Sequence, residues 1–244
     1  MTAGTHASIN RTARLAGGLY LAMAGFGFFG ILYVPSVLVR GDAATTAHNI
    51  MTSEWLFRSG TVSHLIGQII FIFLVLTLYR LLKPVNKNHA VLMVVLALLG
   101  IPIAFLNEVN HLAALRLLSS ADDGAFTSKQ LQAQAMLFLD MRRSGILVTQ
   151  VFWGLWLVPL GLLVFRSGFL PKLLGILLVI GGVGYLIDSA TQLLFPGSAT
   201  ITQFTFVGEL LLLFWLLIKG VNVDRWRQVT LAYEAAEGQS AVAA

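Results

Sequence analysis

Glu108 and His111 stand three positions apart, the spacing at which one helix turns a carboxylate and an imidazole toward the same point, as helix-borne metal sites require. His64, Asp188 and Glu209 offer further ligands of the same kind. The same groups suit a second chemistry, binding of a small solute or ion, with protonation of Glu209 coupled to occupancy. Polar residues recur around them at helical spacing. Arg58, Thr61, His64 and Gln68 form one stripe, and Asn107 with His111 is an i,i+4 pair. Tyr185, Asp188 and Gln192 share one side, as do Thr202, Thr205 and Glu209. Glu54 precedes Arg58 by four, the favourable order for a helical ion pair. No His-Glu-x-x-His, nucleophile elbow, nucleotide-binding loop or haem attachment motif occurs, so no catalytic residue and no cofactor is assigned.

The elements that must position these groups are set by composition. Of 244 residues, 57% are hydrophobic and 11% charged, with no cysteine. A water-facing domain carries roughly 25% charged residues, so this chain is predicted to be an all-α, polytopic membrane helix bundle. A disordered chain, a disulfide scaffold and a cysteine-based zinc site are excluded. A crossing needs about 20 apolar residues. Six runs satisfy that, over Arg14–Val39, Trp55–Leu82, His89–Leu118, Ser144–Phe165, Phe169–Phe195 and Thr202–Lys219. Alternating the loops puts ten of the sixteen Lys and Arg on the side of the amino terminus, which predicts both termini cytoplasmic. The basic amino terminus resembles the start of a secretory signal, but its apolar run is longer than a signal core and reads as an uncleaved first helix. The net charge of +5 is read as topology and contact with anionic headgroups, not nucleic-acid binding. Residues 1–220 form the expected membrane domain and 221–244 a disordered cytoplasmic tail. Gly41–Ser53 and Ser119–Leu131 are expected as outside loops.

Several strings together resemble a bacterial six-helix membrane family known as domain of unknown function 4386. They include Gly41-Asp42-Ala43-Ala44-Thr45 and Leu78-Tyr79-Arg80-Leu81-Leu82-Lys83-Pro84-Val85-Asn86-Lys87-Asn88. Leu137-Phe138-Leu139-Asp140, Gly184-Tyr185-Leu186-Ile187-Asp188, Gly208-Glu209-Leu210 and Trp215-Leu216-Leu217-Ile218-Lys219-Gly220 continue the match. The resemblance implies an integral membrane protein of the bacterial plasma membrane and supplies no activity or substrate. The chain departs from the family pattern at His64 and Gln68, and at Arg142-Arg143.

Ionisable groups at bilayer depth normally face the bundle or water. At about 1.5 Å per residue, Glu209 and His64 each lie about 13 Å from the outer side, a depth at which they would meet. Asp188, Glu108 and His111 also belong to the outer half. A polar cavity opening outward between the second, third, fifth and sixth helices would gather His64, Gln68, Glu108, His111, Asp188, Gln192 and Glu209. Arg142 and Arg143 read as headgroup ligands and partners of Asp140. Gly181, Gly182 and Gly184 read as close packing between helices. Three functions fit: a small-solute or ion binder or carrier, plausibly homodimeric; an intramembrane metal-dependent enzyme using Glu108 and His111 with His64, Asp188 and Glu209; and a structural or regulatory subunit.

Overall fold

A computed structural model describes residues 3–120 and 126–242; the central part of the expected outside loop Ser119–Leu131 and the last two residues of the tail lie outside them. Helices follow one another as α1 (Ala3–Gly27), a π-helical turn (Phe28–Tyr33), α2 (Val34–Leu38), α3 (Ala43–Thr52) and α4 (Glu54–Leu82). After these come α5 (Lys87–Ser119), α6 (Ser128–Ser167), α7 (Lys172–Leu194), α8 (Thr202–Thr205), α9 (Val207–Ile218) and α10 (Val223–Val242). Among the described residues there is no strand. The protein is a helical membrane bundle: five helices are long and apolar enough to cross, six if the bent pair at the carboxyl end counts as one. Exposed Leu, Ile, Val and Phe are spread along these helices, with Leu106 at 71% and Phe73 at 57%. Such a surface suits lipid and would be an aggregation liability in water.

Five segments differ from the sequence reading. The first span is not a plain α-helix: its register widens over Phe28–Tyr33, just ahead of Pro35, which has no N–H to donate one turn back. Gly41–Ser53 is mostly helix rather than loop. Asp42 caps α3 in an extended conformation, accepting from Thr45 N–H at 2.8 Å, and that bond holds its carboxyl below the usual range. The fourth span begins at Ser128, sixteen residues before Ser144, and runs for 40 residues. At 1.5 Å per residue it is about 60 Å long, twice a hydrocarbon core. The sixth span is interrupted at Phe206, and the tail expected to be disordered is helical over Val223–Val242, bent by 100° from the span before it. Trp226 Nε1 donates to the Leu81 carbonyl at 2.9 Å and Lys87 pairs with Glu237 at 3.1 Å, which fastens α10 to the α4–α5 turn.

The contacts divide the chain into two compact units. One holds Met1–Leu21, Phe71–Gly100 and Gln150–Ala244. In it α6 and α7 approach through glycines seven apart on each helix. A Cβ on Gly161 would stand 2.7 Å from the Gly175 carbonyl oxygen, and one on Gly154 would stand 2.6 Å from that of Gly182. The other unit holds Ala22–Ile70 and Ile101–Thr149. Its apolar core includes Val34, Leu38, Ile50, Phe57, Leu115 and Leu139. Because α6 and α7 touch backbone to backbone, Gly161→Val should lower the thermal midpoint by several degrees, whereas Gly18→Ala, whose new methyl meets open space, should leave it unchanged. Thermal unfolding of both variants in the same detergent checks the contrast.

Candidate functional site

Within the second unit, three long helices each bring polar groups to one point. On α4 the buried stripe is Phe57, Thr61, His64 and Gln68; on α5 it is Ala104, Asn107, Glu108, His111 and Leu115; on α6 it is Ala135, Leu139, Arg142 and Thr149. Each series follows the 3–4-residue spacing of a single helix face. Glu108, 2% exposed, is the hub. Its Oε1 accepts from Arg142 Nε at 3.1 Å, from Arg142 Nη2 at 2.9 Å and from His64 Nδ1 at 2.7 Å. A protonated Nδ1 leaves the His64 Nε2 lone pair to accept from Gln68 Nε2 at 3.1 Å, so one neutral tautomer satisfies both ring nitrogens. His111 Nδ1 lies 2.7 Å from Thr61 Oγ1 and 3.5 Å from Glu108 Oε2, and its ring centroid is 3.8 Å from that of Phe57.

Arg142 is held by more than the carboxylate. Asn107 Nδ2 donates to the Arg142 carbonyl at 2.8 Å, and the carbonyl of Gly30, in the π-helical turn, accepts from Arg142 Nη2 at 3.4 Å. Gly145 lies one helical turn beyond and leaves room for Asn107, where any Cβ would collide with its amide. The guanidinium and the carboxylate compensate each other's charge, the condition under which an ion pair persists away from water. Two acceptors remain without a hydrogen bond, Glu108 Oε2 and Gln68 Oε1.

Of the residues assigned from sequence to an outward-opening polar cavity, His64, Gln68, Glu108 and His111 meet one another within this unit. Their side chains close on one another, and Phe57, Leu115 and Leu139 lie one to two turns along the same helices from His64, Glu108 and Arg142 as part of the apolar core. Two clefts in this unit, about 520 Å³ along Ala22–Ile66 and about 270 Å³ beside α3, are lined by other residues. Arg142, read from sequence as a headgroup ligand, is the buried cation, because it shares the inward stripe of Ala135 and Leu139 while Arg143 falls off it. Asp140 and Arg143 are exposed, and no ion pair joins them among the described residues. Glu54 and Arg58 pair at 2.7 Å on the exposed side of α4.

The remaining predicted groups sit in the first unit with other tasks. Asp188, 1% exposed, accepts from the N–H groups of Ile201 and Thr202 at 2.8 and 2.7 Å and from the Thr202 hydroxyl, so it caps the broken start of the sixth span. Gln192 donates to the Ser198 carbonyl in the same turn. Glu209, expected beside His64, takes its bond from Tyr20 Oη at 2.6 Å. Tyr20 was not singled out from sequence, although Ala13, Ala16 and Tyr20 mark a buried stripe on α1. Among the described residues no group of three or more His, Cys, Asp and Glu is arranged to hold a metal ion. The Glu108 oxygen nearest His64 is already occupied by Arg142. Glu108, His64 and His111 are thus gathered around the Arg142 guanidinium rather than arranged as a ligand set.

The family model described as Domain of unknown function (DUF4386) matches residues 15–220. The chain belongs to this family. All of the Glu108 cluster and the Tyr20–Glu209 pair fall within the matched region. A protein of Archaeoglobus fulgidus, described as "Uncharacterized protein", is 35% identical over 167 residues, which cover 66% of this chain and 85% of that one. No solved structure matches the chain.

Removing one partner of a buried ion pair strands the other charge, at a cost of about 3–5 kcal/mol. Arg142→Met should therefore destabilise the protein by about that amount, and adding Glu108→Gln to it should restore much of the loss. Equilibrium unfolding in mixed micelles of the two single variants and the double variant measures the coupling. Purely additive losses would mean the two side chains do not interact.

Proposed function

We propose that the chain is a multi-pass protein of a bacterial plasma membrane that binds a small ion, the proton, and relays it through the Glu108 cluster in the outer half of the bundle. The observation that carries this reading is the buried series His111–Glu108–His64, one carboxylate with an imidazole nitrogen at 3.5 Å from Oε2 and another at 2.7 Å from Oε1. Acid and imidazole groups in sequence are what intramembrane proton relays are built from. Side chains this closely packed suit a proton better than a larger solute, because a proton needs closely spaced acceptors rather than space. Glu108 Oε2, free of a hydrogen bond, faces His111, so a proton in transit between the two imidazoles would cross this carboxylate without resting on it. The excess of Lys and Arg on the side of the amino terminus supports the orientation that puts the cluster toward the outside. Six helices are few for an alternating-access carrier, which favours a relay or a homodimer over a solute carrier acting as a single chain.

Liposomes containing the protein and an internal pH-sensitive dye test the reading directly. Under a potassium diffusion potential the protein should speed proton entry several-fold over empty liposomes. Glu108→Gln, in vesicles where the variant is shown to be folded, should return the rate to that of empty liposomes, while His89→Gln should not. Proton entry equal to that of empty liposomes, or unchanged by Glu108→Gln, would leave the cluster as a packing device of a structural subunit.

A further inference from the structure

The first unit contains a second polar centre with different chemistry. Glu209, in the first turn of α9, accepts from Tyr20 Oη at 2.6 Å, and Tyr185 is a second phenol beside the same carboxylate. Aromatic rings surround the pair. The Tyr20 ring lies 6.4 Å from that of Trp156, Trp156 lies 5.0 Å from Phe71, and Trp153 meets Tyr185 edge-on at 6.3 Å. No Lys, Arg or His pairs with Glu209 among the described residues. One turn earlier the Thr205 hydroxyl oxygen is buried without a hydrogen-bond partner. Tyr20 and Trp156 are each 2% exposed, whereas Glu209, Tyr185, Trp153 and Gln150 each keep partial exposure at the residue level.

We propose that Glu209, Tyr20, Tyr185 and Trp153 form a binding site for a small alkylammonium cation. A carboxylate among apolar side chains must be compensated or give up its charge, and among the described residues no cation of the protein pairs with Glu209, which leaves that place to a bound cation. A hard metal ion needs a cage of several oxygens; this site offers one carboxylate and two phenols. A weakly hydrated alkylammonium loses little on leaving water, is attracted by aromatic rings and can donate its N–H to a carboxylate. The Thr205 oxygen, at the end of α8 and packed against Gly184, is a further buried acceptor four residues before Glu209. This site uses none of the residues of the proton relay and stands independently of it.

Tryptophan emission of the full chain in nanodiscs, titrated with trimethylammonium chloride against sodium chloride at matched ionic strength, tests the proposal. Trimethylammonium should give a saturable change in emission and raise the thermal midpoint by several degrees, while sodium gives neither. Glu209→Gln should abolish both responses, Trp153→Leu should weaken the affinity several-fold, and His89→Gln should leave it unchanged. If Glu209→Gln does not fold, Tyr20→Phe, which keeps the ring and removes the hydroxyl, should also weaken the affinity several-fold. Absence of a saturable response, an equal response to sodium, or a response retained by every one of these variants overturns the proposal.

Discussion

A charge inside a membrane protein must find an opposite charge or give up its ionisation, and the Glu108–Arg142 pair is where this constraint acts on the chain. Three helices converge on that pair. The carboxylate comes from α5, the guanidinium from α6, and the imidazole that completes the oxygen's coordination from α4. The small residues nearby serve the same end. A Cβ at Gly30 would stand 2.5 Å from the Gly60 carbonyl and one at Gly145 would displace Asn107, so both glycines let backbones approach until the polar groups meet. Even the irregular turn at Phe28–Tyr33 presents a carbonyl to Arg142.

The pair also explains why one oxygen of Glu108 differs from the other. Arg142 directs both its Nε and its Nη2 to Oε1, where a bidentate guanidinium would take one oxygen each. Oε2 is left facing His111, and the carboxylate thus joins two imidazoles while remaining charge-compensated. A metal-site reading of Glu108-x-x-His111 gives way for the same reason. The spacing does place both groups on one face, but the third participant is a guanidinium, which cannot ligate a metal.

Hydropathy alone made the helical membrane architecture legible, because lipid admits few alternatives to long apolar helices. The polar stripes were legible too, since Thr61, His64 and Gln68 or Asn107, Glu108 and His111 follow directly from helical spacing. What each stripe faces was not. His64 and Glu209 matched in depth, yet depth along a helix axis says nothing of rotation or neighbour: His64 bonds to Glu108 and Glu209 to Tyr20. Arg142 was obscured by its neighbour Arg143 and by a span drawn from Ser144; extending the helix back to Ser128 would have shown Arg142 in register with Ala135 and Leu139. The break at Phe206 carries no proline or glycine, and only the capping of Ile201 and Thr202 by Asp188 reveals it. Helix α10 was hidden by a polar, Ala-rich composition that gives no apolar stripe, its order coming from tertiary bonds such as Trp226 to Leu81.

Solid-state NMR of bilayer-embedded protein with labelled arginine and glutamate measures the central pair most directly. The account predicts a through-space correlation between the Arg142 guanidinium nitrogens and an ionised Glu108 carboxyl carbon, absent from spectra of Glu108→Gln. A spectrum lacking that correlation, with Glu108 carrying the chemical shift of a neutral acid, would contradict it.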